Sequence, residues 1–211
     1  MSGTGRGFAS PARTQILTLA AIYVLDRVVE MITLDNIEQF TIPLQDHSAK
    51  WIFETGNKQL PSAEHLDQIF PLTEEASRFL WDFQSKIRIN SFYPDVNKYF
   101  RDVEKFTFGE NMESQVKKWL YQRGLPFKDK VFISFQPNWG LVLTWKMVIH
   151  YSSALFFGYD LTVWDRTINW GLYFHHDDIF HFGRNRIYDG QEEQRKLNQL
   201  IRGINKSGVK I

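Results

Sequence analysis

The chain reads as an α+β protein: a helical N-terminal half packed on an antiparallel β-meander sheet, with a C-terminal helix. Three observations predict this. Apolar residues recur at helical spacing over most of the first 125 positions, with Ser or Thr caps and Gly or Pro stops between the segments. From Lys130 the pattern changes to short β-branched and aromatic runs separated by turn-prone residues. A last amphipathic segment opens behind Asp189. With 211 residues, 43% of them hydrophobic, the chain can bury a proper core. No Pro/Gly/Ser-rich linker divides it beyond the first twelve residues. The expected organisation is a loose tail over 1–12 and one domain over 13–211, with a helical portion 13–125, a sheet portion 130–188 and a helix at 190–203.

Residues 1–12, MSGTGRGFASPA, have the composition of a tail. Leu17, Ala21, Val24, Val28 and Ile32 then keep helical spacing and predict a helix over 14–33. The apolar run 16–25 behind Arg6 and Arg13 has the outline of a secretory signal, but Asp26, Arg27 and Glu30 follow at once and the run is too short to span a bilayer. A docked helix is the better reading. Met31 offers an alternative start, which the mass of the protein made from its native gene would settle. Residues 36–53 read as irregular. Ser62, after Pro61, caps a helix that buries Leu66 and Ile69, and Thr73 caps a longer one with Leu80, Phe83 and Ile87 on one face, ending near Asn90. Segment 95–106 is mixed, with Val96, Tyr99 and Phe100 suiting a helix and the following Phe106 to Phe108 a strand. Met112, Val116, Trp119 and Leu120 share one face of a helix over 111–123, stopped by Gly124 and Pro126.

Strands are expected where Val131, Ile133 and Phe135 alternate with Phe132, Ser134 and Gln136, and again over 139–150, 153–157, 161–164, 168–175 and 179–182. The tetrapeptide Asn-Trp-Gly-Leu occurs at 138 and at 169, each copy leading to an aromatic run ending in glycine. Two hairpins with one packing need account for this, Gly140 and Gly171 admitting a neighbouring Trp ring or a bulge. Asp189 and Glu192 then form a capping box for the last helix, whose apolar side is Leu197, Leu200, Ile201 and Ile204.

Composition excludes several chemistries. A net charge of +1 provides no overall field toward nucleic acid or an anionic membrane, and acidic residues interrupt the basic patch Arg184, Arg186, Lys196 and Arg202. Without cysteine there is no disulfide, thiolate zinc site or thiol nucleophile. No Gly-rich phosphate loop occurs, and His150, Ser152 and Ser153 lie outside any G-x-S-x-G elbow. The densest polar cluster is His175, His176, Asp177, Asp178 and His181. As a metal-dependent hydrolase centre it would use His175, His176, Asp178 and His181 as ligands to zinc, iron or manganese. In a hairpin turning near 177, however, strand alternation sends His175 and His176 to opposite faces and leaves the aspartates as turn residues. The cluster is then scaffolding, and no cofactor is implied. Most of Trp139, Trp145, Trp164 and Trp170 are expected in the core, any exposed one forming a partner platform.

The runs TWKMVIHY at 144–151, LFFGYD at 155–160 and NWGLYFHHDDIFHFG at 169–183 resemble the C-terminal sheet pattern of small uncharacterised bacterial cytoplasmic proteins, some of which neutralise toxins delivered by neighbouring cells. The resemblance covers residues 130–185 and carries over no functional residue. It implies a cytoplasmic, non-enzymatic protein that occupies another protein's surface. The expected surface is an acidic-aromatic patch at one end of the sheet, built from Tyr159, Asp160, Trp164, Asp165, Asp177 and Asp178, whose aromatic anchors and charges would suit a basic partner.

Overall fold

The computed structural model describes residues 31–54, 61–86, 96–110 and 112–187, together with Arg195 and Asn198. Most of the helix expected over 14–33 and most of the one expected over 190–203 lie outside these residues; the described residues 31–33 are not helical. The chain divides into a unit at 1–32 and a unit at 33–211, and all of the described helices and strands belong to the second.

Three short 3-10 turns, at Ile37–Gln39, Leu44–Asp46 and Lys50–Ile52, lead into α1 (Ala63–Leu66), β1 (Ile69–Pro71) and α2 (Glu74–Lys86). Next come α3 (Val96–Tyr99), β2 (Phe100–Thr107) and α4 (Glu113–Tyr121). The second half contains β3 (Lys130–Ser134), β4 (Leu141–Thr144), α5 (Trp145–His150), α6 (Ser152–Leu155), β5 (Leu161–Trp164), β6 (Trp170–His175) and β7 (Ile179–Arg186). The seven strands form one sheet in the order β1-β4-β3-β5-β6-β7-β2, every neighbouring pair antiparallel. The α+β class is as expected. The meander is only partial: β5, β6 and β7 are sequential neighbours, but β4 and β5 flank β3, so the chain crosses over β3 through α5 and α6.

Three segments depart from expectation for identifiable reasons. The apolar run 139–150 is a strand only to Thr144, whose Oγ1 accepts the Met147 N–H at 3.4 Å and caps α5. Trp145, Met147 and Val148 are all buried, so burial on the helix explains the composition that reads as strand. The run 153–157 likewise falls mostly within α6, which buries Ser152 and Leu155. Ile69 belongs to a strand, not to the preceding helix: α1 stops at Leu66, and Ile69 pairs with Leu143 at the sheet edge, where Pro71 is tolerated.

The core has two layers. On one face Val131, Ile133, Leu143, Val163, Leu172 and Phe182 pack with Val116, Trp119 and Leu120 of α4 and with the buried side of the α5–α6 crossover. The opposite face carries Phe132, Val142 and Trp164, and α2 lies over it, burying Ala76, Ser77, Leu80 and Phe83. Every residue of β4 and β5 is therefore buried, which is why neither strand shows polar alternation. Gly140 serves this packing: a Cβ there would stand 2.8 Å from the Ser77 Cα, so the residue admits the α2 backbone and not a Trp ring. Gly183 makes way for the Phe100 ring, which would lie 2.3 Å from an added Cβ. The two Asn-Trp-Gly-Leu copies also differ in setting, since Trp139 is half-buried in a loop and Trp170 opens β6. No helix among the described residues is long and apolar enough to cross a membrane.

Candidate functional site at one end of the sheet

Register determines which loops meet. Ile133 faces Leu141, Ser134 faces Thr162, Leu161 faces Phe174 and His175 faces Ile179. The loops 135–140, 156–160 and 176–178 therefore emerge together at one end of the strands. Aromatic rings bridge two of them and continue beyond. Trp139 stands edge-on to Phe135 at 5.3 Å, to Tyr159 at 6.0 Å and to Trp51 at 6.4 Å between ring centroids. Trp51 and Tyr159 are 40% and 43% exposed. Gly158, at φ +75°, makes the turn in which Phe156 packs inward on Phe174 and Phe180 while Phe157 is left 71% exposed.

Asp160 follows these rings and is tied to the neighbouring hairpin. Its Oδ2 accepts the Tyr173 hydroxyl at 2.9 Å, and its Oδ1 accepts the His176 backbone N–H at 3.0 Å and the His176 Nδ1–H at 2.8 Å. Burial works to raise the Asp160 carboxyl, but these hydrogen bonds outweigh it and hold the group below its ordinary range. The same hydrogen bond to Asp160 raises the His176 imidazole above its ordinary value.

The two adjacent histidines do not diverge. Their rings stack with centroids 4.2 Å apart and planes 28° from parallel. Strand alternation holds only as far as His175, the last paired residue; His176 is the first residue of a three-residue turn closed by Asp178 at φ 60°. Asp160 holds the His176 backbone and ring together, and the ring lies back over His175. The Asp177 carboxylate flanks the pair, 3.4 Å from His175 Nδ1 and 3.8 Å from His176 Nε2. One ligand-type atom from each of Asp160, His175 and His176 lies within 4.8 Å of the others.

The remaining expected residues scatter. Asp178 offers its backbone carbonyl to the Phe108 N–H at 3.1 Å, and it lines a cavity of about 220 Å³ with Phe108, Met112, Glu113, Ser152 and Phe157. His181 lies deeper on β7, opposite Tyr173 and Lys105, where burial, assisted by Lys105 and His175, lowers its pKa. Neither belongs to the Asp160–His175–His176 group. Trp164 is wholly buried, its ring 6.0 Å from Phe132, so it is a core residue and no part of a surface patch. Asp165 closes the other end of β5, roughly 15 Å along the strand from Asp160. There its carboxylate accepts the Thr167 N–H and the Trp170 Nε1–H, each at 2.9 Å. His150 packs on His65 and Tyr151, and Ser152 is buried in α6, so these residues form no nucleophile–base pair.

Trp51 and Phe157 were not expected at the site. Phe157 carried a signal, since an aromatic residue beside Gly158 in a turn-prone segment suits an exposed position. Trp51 carried none: it adjoins Ile52 and Phe53, which are buried, and only the fold separates it from them. The chain matches no protein-family model, no curated protein and no solved structure.

Proposed function

We propose that the protein is a non-enzymatic binding module that covers part of another protein with the aromatic-acidic end of its sheet, in the manner of a cytoplasmic toxin-neutralising protein. The observation that carries this reading is the chain of rings Trp51, Trp139 and Tyr159 running directly into Asp160, with Asp177 beyond it. Large aromatic side chains supply most of the energy at protein interfaces, and rings already held edge-to-face lose little conformational freedom on binding. Asp160, Asp177 and Asp178 stand exposed beside them and favour a basic partner by steering its approach. The neighbouring cavity suits the same partner. Phe108, Phe156 and Phe157 offer apolar walls, and Glu113 and Asp178 offer carboxylates to a lysine or arginine side chain.

The test is binding of the full chain to the product of the adjacent gene, with wild type compared against a Trp51→Ala/Tyr159→Ala variant. A complex that weakens at least about tenfold in the variant, and also with rising salt, supports the reading. No complex from a fully folded wild-type chain, or equal affinity in the variant, refutes it.

A further inference from the structure

We infer that Asp160, His175 and His176 form a surface site for a transition-metal dication of the zinc or nickel type, which would tie the loop before β5 to the β6–β7 hairpin. The inference does not rest on the partner-binding reading, although both involve Asp160 and Asp177, and it differs from the ligand set read from the sequence, because the fold replaces Asp178 and His181 with Asp160.

Four features support it. The donors are two imidazoles and a carboxylate, a set that favours Zn2+, Ni2+ or Co2+ over Mg2+ and Ca2+, which prefer all-oxygen shells. With bonds of about 2.1 Å, two ligands of one ion stand about 3.4 Å apart. The atoms here already lie within 4.8 Å, and the exposed His176 ring needs only a small swing to close the gap. Asp160 is oriented from behind by the Tyr173 hydroxyl, the kind of outer contact that aims a ligating carboxylate. Charge fits as well: Asp160 and Asp177 together balance a dication, and neither is paired with a lysine or arginine among the described residues. On binding, His176 Nδ1 would lose its proton, to solvent from the charged ring or to Nε2 from the neutral one, and exchange its hydrogen bond to Asp160 for a bond to the metal, with open positions left toward solvent.

The experiment is isothermal titration of the full chain, free of any polyhistidine tag, with ZnCl2, NiCl2 and MgCl2, and visible absorption with CoCl2. One saturable Zn2+ site and no Mg2+ heat are expected. Asp160→Asn and His176→Gln should each weaken Zn2+ at least about tenfold, and Tyr173→Phe, which removes only the outer contact, by a smaller but measurable factor. Asp178→Asn and His181→Gln should change it less than about twofold. Circular dichroism on each variant separates lost binding from lost fold, and His176→Gln, at an exposed position, is the variant expected to keep the fold. No saturable Zn2+ binding to wild type, wild-type affinity in a folded Asp160→Asn, or equal loss in a folded His181→Gln would overturn the inference.

Discussion

The two ends of β5 carry the same kind of residue and treat it in opposite ways. At the far end Asp165 spends its carboxylate on its own turn, accepting from Thr167 and Trp170, while Glu38 takes both Lys130 and Arg166. Both carboxylates are thus committed to partners in the same chain. At the near end Asp160 is held by a tyrosine hydroxyl and by His176, whose imidazole pKa the same hydrogen bond raises, and among the described residues Asp177 has the two histidines beside it. Exposed rings surround the near end, and ion pairs surround the far one. Intramolecular pairing builds structure, and polar groups left with exchangeable partners beside exposed aromatics are available for recognition.

Variants placed along this strand sharpen or break the contrast. The largest effect is expected inside it: Trp164→Ala should lower the unfolding free energy by about 3–5 kcal/mol in chemical denaturation, and a loss below about 1 kcal/mol would show that Trp164 is not core.

The next concerns His47, a buried residue behind loop 135–140 whose pKa is lowered to about 4 by burial, with the Gly140 carbonyl opposing the shift. The folded-state pKa is below the unfolded one, so as pH falls the unfolded chain binds the proton first. The stability contribution is whole above about 6.5 and is lost progressively toward about 4, by up to about 3 kcal/mol. Replacing His47 with Gln should flatten that part of the wild-type pH profile, and coincident profiles would contradict it.

At the far end, Asp165→Ala leaves the Trp170 indole N–H without its acceptor and should cost about 1–2 kcal/mol, read from the same denaturation curves. The smallest effect on stability belongs to the near end. Tyr159→Ala should stay within about 0.5 kcal/mol of wild type while weakening the partner complex, and a loss as large as that of Asp165→Ala would erase the distinction between the two ends.

How much of this was legible beforehand depended on whether a residue's environment lay nearby in sequence. The helix over 113–121 followed from apolar spacing with Gly124 behind it, and β3, β6 and β7 from β-branched and aromatic runs bounded by turns. Asp160, Asp177 and Tyr159 were legible as a group at one end of the sheet because turn residues at strand ends are exposed wherever the sheet lies. Strand alternation misplaces the adjacent histidines because it stops at the last paired position, one residue short of His176, in a turn whose shape Asp160, sixteen residues earlier, helps to set.

The sequence by itself determined the α+β class, the positions of most strands and the near-neutral, cysteine-free composition, since these depend on periodicity, turn chemistry and charge counted along the chain. Tertiary structure decided that Trp145–His150 and Ser152–Leu155 are helical, that Trp164 is buried and Trp51 exposed, and that Asp160 joins His175 and His176. Each of these turns on which strands become neighbours and which face a layer covers. Contacts between distant segments set that choice, and local pattern does not encode them.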